Sequence, residues 1–314
     1  MPRNTSFTFI DLFSGIGGFH QAAAACGGKC ILACDINAEA REIYKENYGI
    51  TPEPDVRTLR RVPPGSCDLL MAGPPCQTYS TIGDRQGTAD QRGTLIYTVA
   101  RYIAATKPKT FIIENVKGLT VVAAFPRFLN MVKAAGYSVT WEVLDAANFG
   151  VPQHRERVYI VGVLESTSPW MPQRPAFDFA PLLEAHDRVA FRKIMDRAPD
   201  PRLNNHKFDG LPLTDIKTDS GFVLRAKKNN YINNKLFSSH GIVGTLCATF
   251  SPIVYDERHR LARQMSPREM LLCQGFPATF KLPPGRSKAM FYTGNAVCVN
   301  VVRAIIQELS PLMP

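Results

Sequence analysis

Short runs of β-branched or otherwise apolar residues recur through the first half of the chain, at Phe7–Phe13, Cys30–Ile36, Asp68–Ala72, Thr110–Val116, Ser138–Asp145 and Val158–Val163. Between them, over Phe19–Cys26, Ala38–Asn47, Thr94–Thr106 and Val121–Ala135, apolar positions recur at helical spacing. This alternation predicts an α/β fold: a doubly wound parallel sheet with helices on both faces. Near Glu165 the texture changes, because Pro169, Pro172, Pro175, Pro181, Pro199, Pro201 and Pro212 crowd a segment with little long periodicity. A domain boundary is expected there. A last helical pattern, Ala296–Leu309, is expected to pack back on the first domain. The chain thus reads as residues 1–165 plus 284–314 in one domain and 166–283 in a second, smaller one.

Charge adds a partner to this picture. The 314 residues carry a formal net charge of +10, which suggests an anionic partner, nucleic acid being the commonest large one. From Gly221 to Tyr255 there is no acidic residue, while Arg225, Lys227, Lys228 and Lys235 are interleaved with asparagines. That stretch is either a nucleic-acid-facing surface or a solvated loop. The eight cysteines include no C-x-x-C pair, so neither a disulfide framework nor a zinc site is indicated and no metal is expected. No apolar run approaches a membrane span and the N-terminus lacks a signal-peptide core, so a soluble, cytoplasmic protein is expected.

Candidate chemistry lies at the ends of the predicted strands. Gly73-Pro74-Pro75-Cys76-Gln77 follows an apolar strand, and two prolines stiffen the turn that presents Cys76. A held nucleophile and an inert buried cysteine are both consistent with that. Asp11-Leu12-Phe13-Ser14-Gly15-Ile16-Gly17-Gly18 ends the first strand in a glycine-rich turn, and Asp35 ends the next, where an acid can bind ribose hydroxyls. A dinucleotide fingerprint wants glycine or alanine where His20 stands, so an adenosyl ligand without a pyrophosphate fits better, with a purely structural turn as the alternative. Glu114 of Glu114-Asn115-Val116 stands where a parallel strand delivers residues to the ligand crevice, or is a solvated strand-end acid. In an extended segment Gln153, Arg155 and Arg157 share one face, and arginine forks at that spacing can hold a phosphate or a base carbonyl.

Taken in order, these segments resemble the DNA cytosine carbon-5 methyltransferases over most of the chain. The order is Phe13-Ser14-Gly15-Ile16-Gly17-Gly18, Asp35, Asp55, Pro74-Pro75-Cys76-Gln77, Asp90-Gln91-Arg92-Gly93, Glu114-Asn115-Val116 and Gln153-His154-Arg155-Glu156-Arg157. Beyond a variable region come Ser266-Pro267-Arg268-Glu269, Gln274-Gly275-Phe276-Pro277 and Gly294-Asn295-Ala296-Val297. The resemblance implies a Rossmann-like S-adenosyl-L-methionine-dependent domain, with S-adenosyl-L-homocysteine as product, and a smaller target-recognition domain. It implies Cys76 as the thiolate that adds to cytosine carbon 6 and Glu114 as the hydrogen-bond partner of ring nitrogen 3. Arg155 and Arg157 support the pocket, with Arg157 preferred as the contact to the base carbonyl. For the cofactor it implies Asp11 in the glycine turn, Phe13 on the adenine, Gly15 and Gly17 at the methionine portion, Asp35 at the ribose and Asp55 at the adenine amino group. Pro74 and Asn295 line the cavity between cofactor and base. Gln77 and Ser80 belong to a loop, Gln77 to Leu95, expected to close over the flipped base. Gln153, Thr245 of Gly244-Thr245-Leu246, Lys227 and Lys228 are expected on the DNA side.

The implied enzyme is a small prokaryotic or viral modification methyltransferase, monomeric, cytoplasmic and nucleoid-associated. Its partners are double-stranded DNA and, in a restriction–modification system, a cognate endonuclease. The nearest alternative keeps the fold and methylates transfer RNA, but Cys247-Ala248-Thr249-Phe250 stands where a Cys-Phe-Thr tripeptide would support it. A catalytically silent binding module would lack Cys76 or Glu114, and both are present. A nicotinamide dehydrogenase is disfavoured by His20.

Overall fold

The computed structural model describes residues 6–75, 95–166, 174–208, 222–225 and 235–313. Consecutive apolar positions, which suit a strand covered on both faces, build the central sheet. Its strands are β1 (Phe7–Leu12), β2 (Gly28–Cys34), β3 (Leu69–Ala72), β4 (Thr110–Val116), β5 (Tyr137–Asp145) and β6 (Glu156–Leu164), in the order β2-β1-β3-β4-β6-β5. All four residues of β3 are buried. Strand β1 pairs in parallel with β2 and β3, and β3 with β4. The sheet is mixed rather than wholly parallel, because β6 runs antiparallel to β4. The ten residues Ala146–Arg155 between β5 and β6 carry only a three-residue 3-10 turn. A parallel crossover needs a dozen or more residues, usually with a helix, so the chain turns straight back.

Helices α1 (Gly18–Ala25), α2 (Ala38–Tyr48), α3 (Leu95–Thr106) and α4 (Ala124–Ala134) connect these strands. Asn37 starts α2 by accepting the Ala40 N–H at 3.0 Å, and Gly49, at φ 71°, ends it. The helix expected from Val121 begins later, because Val121 closes a 3-10 turn and Val122 is extended. Ile10, Leu70, Ile103, Phe111, Phe128 and Ile160 lie at the centre of the core beneath these elements.

Contacts divide the chain into two compact units. The first is Met1–Leu144 with Glu156–Glu184 and Val301–Pro314, and the second is Asp145–Arg155 with Ala185–Asn300. Residues 145–155 and 284–300 thus group with the second unit, and 166–184 with the first, unlike the sequence-based division. The first unit also holds the short helix α5 (Ala180–Leu183). The second contains β7 (Phe222–Arg225), β8 (Lys235–Ser238), β9 (Ile253–Asp256) and β10 (Leu261–Gln264), in the order β10-β9-β8-β7. Helix α6 (Pro267–Cys273) follows, opened by a reciprocal cap between Ser266 and Glu269. The same Glu269 carboxylate accepts two bonds from Arg263, at 2.7 and 2.8 Å, and Arg263 also meets Asp256 at 3.2 Å. All three side chains of this ionic knot are fully buried.

After α7 (Arg286–Asn295), the helix expected over Ala296–Leu309 forms as α8 (Val299–Leu309), starting later because Ala296 is extended at ψ 150°. Contrary to the expectation that no apolar run approaches a membrane span, Arg286–Leu312 reaches that length and contains an 18-residue window with a mean hydropathy of 1.4. The run is interrupted at Ala296, and 67% of its apolar window is buried inside the protein.

Candidate active site

Strand order reverses between β1 and β3, and ligands of open α/β sheets bind beyond the carboxyl ends of strands at such a point. Phe13, Gly15 and Gly17 leave β1 with φ of 56°, 52° and 88°. Phenylalanine rarely adopts a left-handed conformation, so the turn holds this ring at an energetic cost of about 1–3 kcal/mol. Asp35, at the end of β2, clasps the turn: its carboxylate accepts the N–H of Gly15 at 2.7 Å and that of Asn37 at 2.8 Å. Burial raises its pKa despite those bonds. A side chain at Gly15 would meet nothing within 4 Å, whereas one at Gly17 would stand 2.2 Å from the Tyr48 ring. Gly15 therefore borders open space; Gly17 is bare so that α2 can pack. Asp55 is bound by Arg57 through its side chain and main chain, at 2.7–3.0 Å, and those hydrogen bonds hold its carboxyl below the usual range. A cleft of about 490 Å³ opens beside Asp55, walled by Leu32, Pro54, Leu59 and Val62. Open space at Gly15, an aromatic ring and acceptors on Asp35 and Asp55 form a set that fits an adenosyl group.

Asp11 and His20 lie behind this turn. Asp11 is fully buried, and burial pushes its carboxyl well above the usual carboxylate range. Tyr44 Oη lies 3.4 Å from Asp11 Oδ2 and 2.6 Å from His20 Nδ1. Burial drives the His20 pKa down to about 4, so the ring is neutral where its Nδ1 meets Tyr44 Oη. Tyr48 stacks on the same imidazole with ring centroids 3.9 Å apart. The histidine that counted against a dinucleotide fold is thus a packing residue.

Glu114 and Arg157 meet on neighbouring antiparallel strands. Glu114 pairs in register with Tyr159 and Val116 with Arg157, so acid and guanidinium are diagonal neighbours, with Oε1 and Nε 3.2 Å apart. Their side chains are 14% and 17% exposed, which shields the pair from water without sealing it. Glu114 Oε2 also lies 3.7 Å from where a Cβ on Gly73 would stand, so the acid borders the Gly73-Pro74-Pro75 turn. Asn115, to which the sequence assigned no role of its own, is buried and donates from Nδ2 to the Pro74 carbonyl at 3.0 Å.

Three residues expected at the substrate are occupied elsewhere, all within the second unit. Gln153 is fully buried; its Nε2 donates to the Cys273 carbonyl at 2.8 Å and its Oε1 accepts the Leu246 N–H at 2.8 Å. Arg155 is 4% exposed and donates to the carbonyls of Leu246, Gly294 and Ala296 at 2.9–3.2 Å. The Thr245 hydroxyl donates to the His154 carbonyl at 2.7 Å. The shared face expected for Gln153, Arg155 and Arg157 does not form, since β6 begins only at Glu156. Asn295 ends α7 with its side chain exposed. Beside it, a Cβ on Gly294 would stand 2.3 Å from the Cys247 backbone. Cys76, Gln77, Ser80, Lys227 and Lys228 lie outside the described residues.

Comparison with known proteins identifies the family. Residues 7–311 match the family model described as C-5 cytosine-specific DNA methylase. The chain is 34% identical to the type II methyltransferase M.BsuFI of Bacillus subtilis, over 96% of this chain and 72% of that protein. It is also 34% identical to M.HpaII of Haemophilus parainfluenzae, over 98% and 91%. Among solved structures, the Dnmt2 methyltransferase of S. pombe shares the fold, with a TM-score of 0.72 at 20% identity, over 98% of this chain and 99% of that one. With its family match running from β1 to the end of α8, the chain belongs to the C-5 cytosine-specific DNA methylases.

Proposed function

We propose that this enzyme methylates carbon 5 of a cytosine flipped out of a specific duplex DNA sequence, as a restriction–modification or orphan methyltransferase acting in a prokaryotic cytoplasm. The observation that carries the reading is the Glu114–Arg157 pair, 3.2 Å apart, beside the Gly-Pro-Pro turn that leads to Cys76. Cytosine carbon 5 is too weak a nucleophile to take a methyl group unaided. Addition of the Cys76 thiolate to carbon 6 turns the ring into an enamine and splits one hard step into easier ones. Glu114 holds a proton at ring nitrogen 3 as charge develops there, and Arg157 orients that carboxyl and reaches the base carbonyl. S-Adenosylmethionine, when bound, supplies the electrophilic methyl group and leaves as S-adenosylhomocysteine. Loss of the carbon-5 proton then expels Cys76 and restores the aromatic ring. Phe13, Gly15, Asp35 and Asp55 hold the adenosyl group in this scheme. Flipping the base out costs a few kcal/mol of stacking and pairing.

Charge supports the second unit as the DNA-recognition part. It carries 19 Lys and Arg against 10 Asp and Glu, a net +9, whereas the first unit carries 18 against 17, a net +1. A phosphate backbone attracts such a surface whatever its sequence.

Incubation with labelled S-adenosylmethionine and either duplex DNA or transfer RNA, followed by location of the methylated base, tests the activity. Label in DNA 5-methylcytosine is expected; label confined to transfer RNA would overturn the DNA substrate. DNA carrying 5-fluorocytosine at the target is expected to trap a covalent complex with the wild type and none with Cys76→Ser, since fluorine blocks loss of the carbon-5 substituent. Turnover on ordinary DNA without a trapped adduct would refute covalent catalysis.

A further inference from the structure

We propose that Asn115 is a positioning residue for the nucleophile, fixing through the Pro74 carbonyl the direction in which the chain leaves β3 toward Cys76. The inference rests on the assignment of Cys76 in the proposed function. Its physical ground is a shortage of donors. Gly73 makes the last main-chain bond of the strand, a long one of 3.4 Å to the Leu12 carbonyl, and Pro74 and Pro75 have no N–H to give. Proline fixes φ, and the proline that follows confines the ψ of Pro74 to the extended range without fixing it, so within that range the plane of the Pro74–Pro75 peptide is set by whatever holds the Pro74 carbonyl. Asn115 does so at 3.0 Å, from a side chain 2% exposed. The Asn115 amide is itself pinned, because its Oδ1 accepts the Val116 N–H at 2.9 Å.

The neighbouring position explains why this matters for chemistry. Successive residues of a strand point to opposite faces, and here consecutive residues of β4 serve the two partners of one reaction. Glu114 reaches Arg157 and borders Gly73, while Asn115 ties down Pro74, two residues before Cys76. The end of β4 thereby sets the acid and the approach to the thiol on a common frame. A displacement of about 1 Å in such a frame can slow attack about a hundredfold.

Asn115→Asp isolates the bond, since it keeps the shape and the acceptor for Val116 but loses the donor to Pro74. Asn115→Ser, uncharged and too short to reach, is the second variant should the aspartate fold poorly. The measurement is the rate of covalent trapping by 5-fluorocytosine DNA, alongside calorimetric affinities for S-adenosylhomocysteine and DNA and the urea unfolding midpoint. At least about tenfold slower trapping is expected, with both affinities within about twofold of wild type. Trapping at the wild-type rate would overturn the proposal. So would losses of affinity and rate that merely follow the unfolding midpoint, which mark a structural role. A wild type that methylates DNA but traps nothing would instead refute the covalent reading itself.

Discussion

Arg155 and Arg157 stand two positions apart, yet one guanidinium is spent on three main-chain carbonyls and the other meets a carboxylate. Their substitutions should therefore fail in different assays. Arg155→Ala strands buried carbonyls and is expected to lower the unfolding free energy by about 3 kcal/mol. Arg157→Ala removes the group proposed to face the reacting base and is expected to lower kcat about a hundredfold with little change in unfolding midpoint. Urea titration and single-turnover methylation separate the two; a destabilised Arg157→Ala with normal kcat would reverse the assignment. The sequence marked both arginines, and the resemblance preferred Arg157 at the base carbonyl, but nothing local assigned Arg155 to main-chain carbonyls. The partners of Arg155 lie 91 to 141 residues away, so no local pattern carries their identity. The same distance hid the burial of Gln153 against Leu246 and Cys273. The place of Glu114 near the end of β4 was legible because strand-end position is a local property.

At the level of elements, the turn from β1 into α1 contains two left-handed glycines with different work. Gly15→Ala adds a methyl group to open space at φ 52°, so a stability loss of about 1 kcal/mol is expected, with weakened S-adenosylhomocysteine binding. Gly17→Ala drives the same group into Tyr48 at 2.2 Å and φ 88°, and a loss of about 2–3 kcal/mol is expected. Unfolding midpoints and calorimetry check both; equal midpoints would remove the packing role of Gly17. His20, on the same helix, makes the fold sensitive to acid. Its pKa falls from 6.5 unfolded to about 4 folded, so between those values the unfolded chain binds more protons. Stability should decline by at most about 3 kcal/mol as pH falls through that window, and level off below it. Asp11, whose raised pKa favours the folded state at low pH, opposes the trend. His20→Gln, which keeps a hydrogen-bonding group for Tyr44 but does not titrate, should flatten the decline in pH-dependent urea titrations. An unchanged decline would clear His20 of it.

For the molecule as a whole, alternation of apolar runs was enough to reveal the sheet and its flanking helices. The antiparallel β6 was not legible, since strand direction depends on what a connection can reach. The grouping of residues 145–155 with the second unit escaped for a related reason: Arg155 and Gln153 are held by bonds across the chain rather than by their neighbours. Charge was legible as a total and as the acid-free stretch Gly221–Tyr255, and its concentration across the second unit bears on binding. Replacing Lys227 and Lys228 by alanine should weaken binding to every duplex sequence about equally, reducing the salt slope by at most about two and sparing site choice. Binding isotherms across salt concentrations decide this: an unchanged slope makes the stretch a solvated loop, and an altered target sequence makes these lysines base readers. The diagonal pairing of Glu114 with Arg157 has a consequence on the timescale of lineages. Both residues hang from one hydrogen-bonded ladder within the first unit, so on the proposed function insertions and drift in Ala185–Asn300, the proposed recognition part, would redirect the enzyme to new targets without retuning its chemistry. Descendants can diverge in what they mark while inheriting one way of marking it.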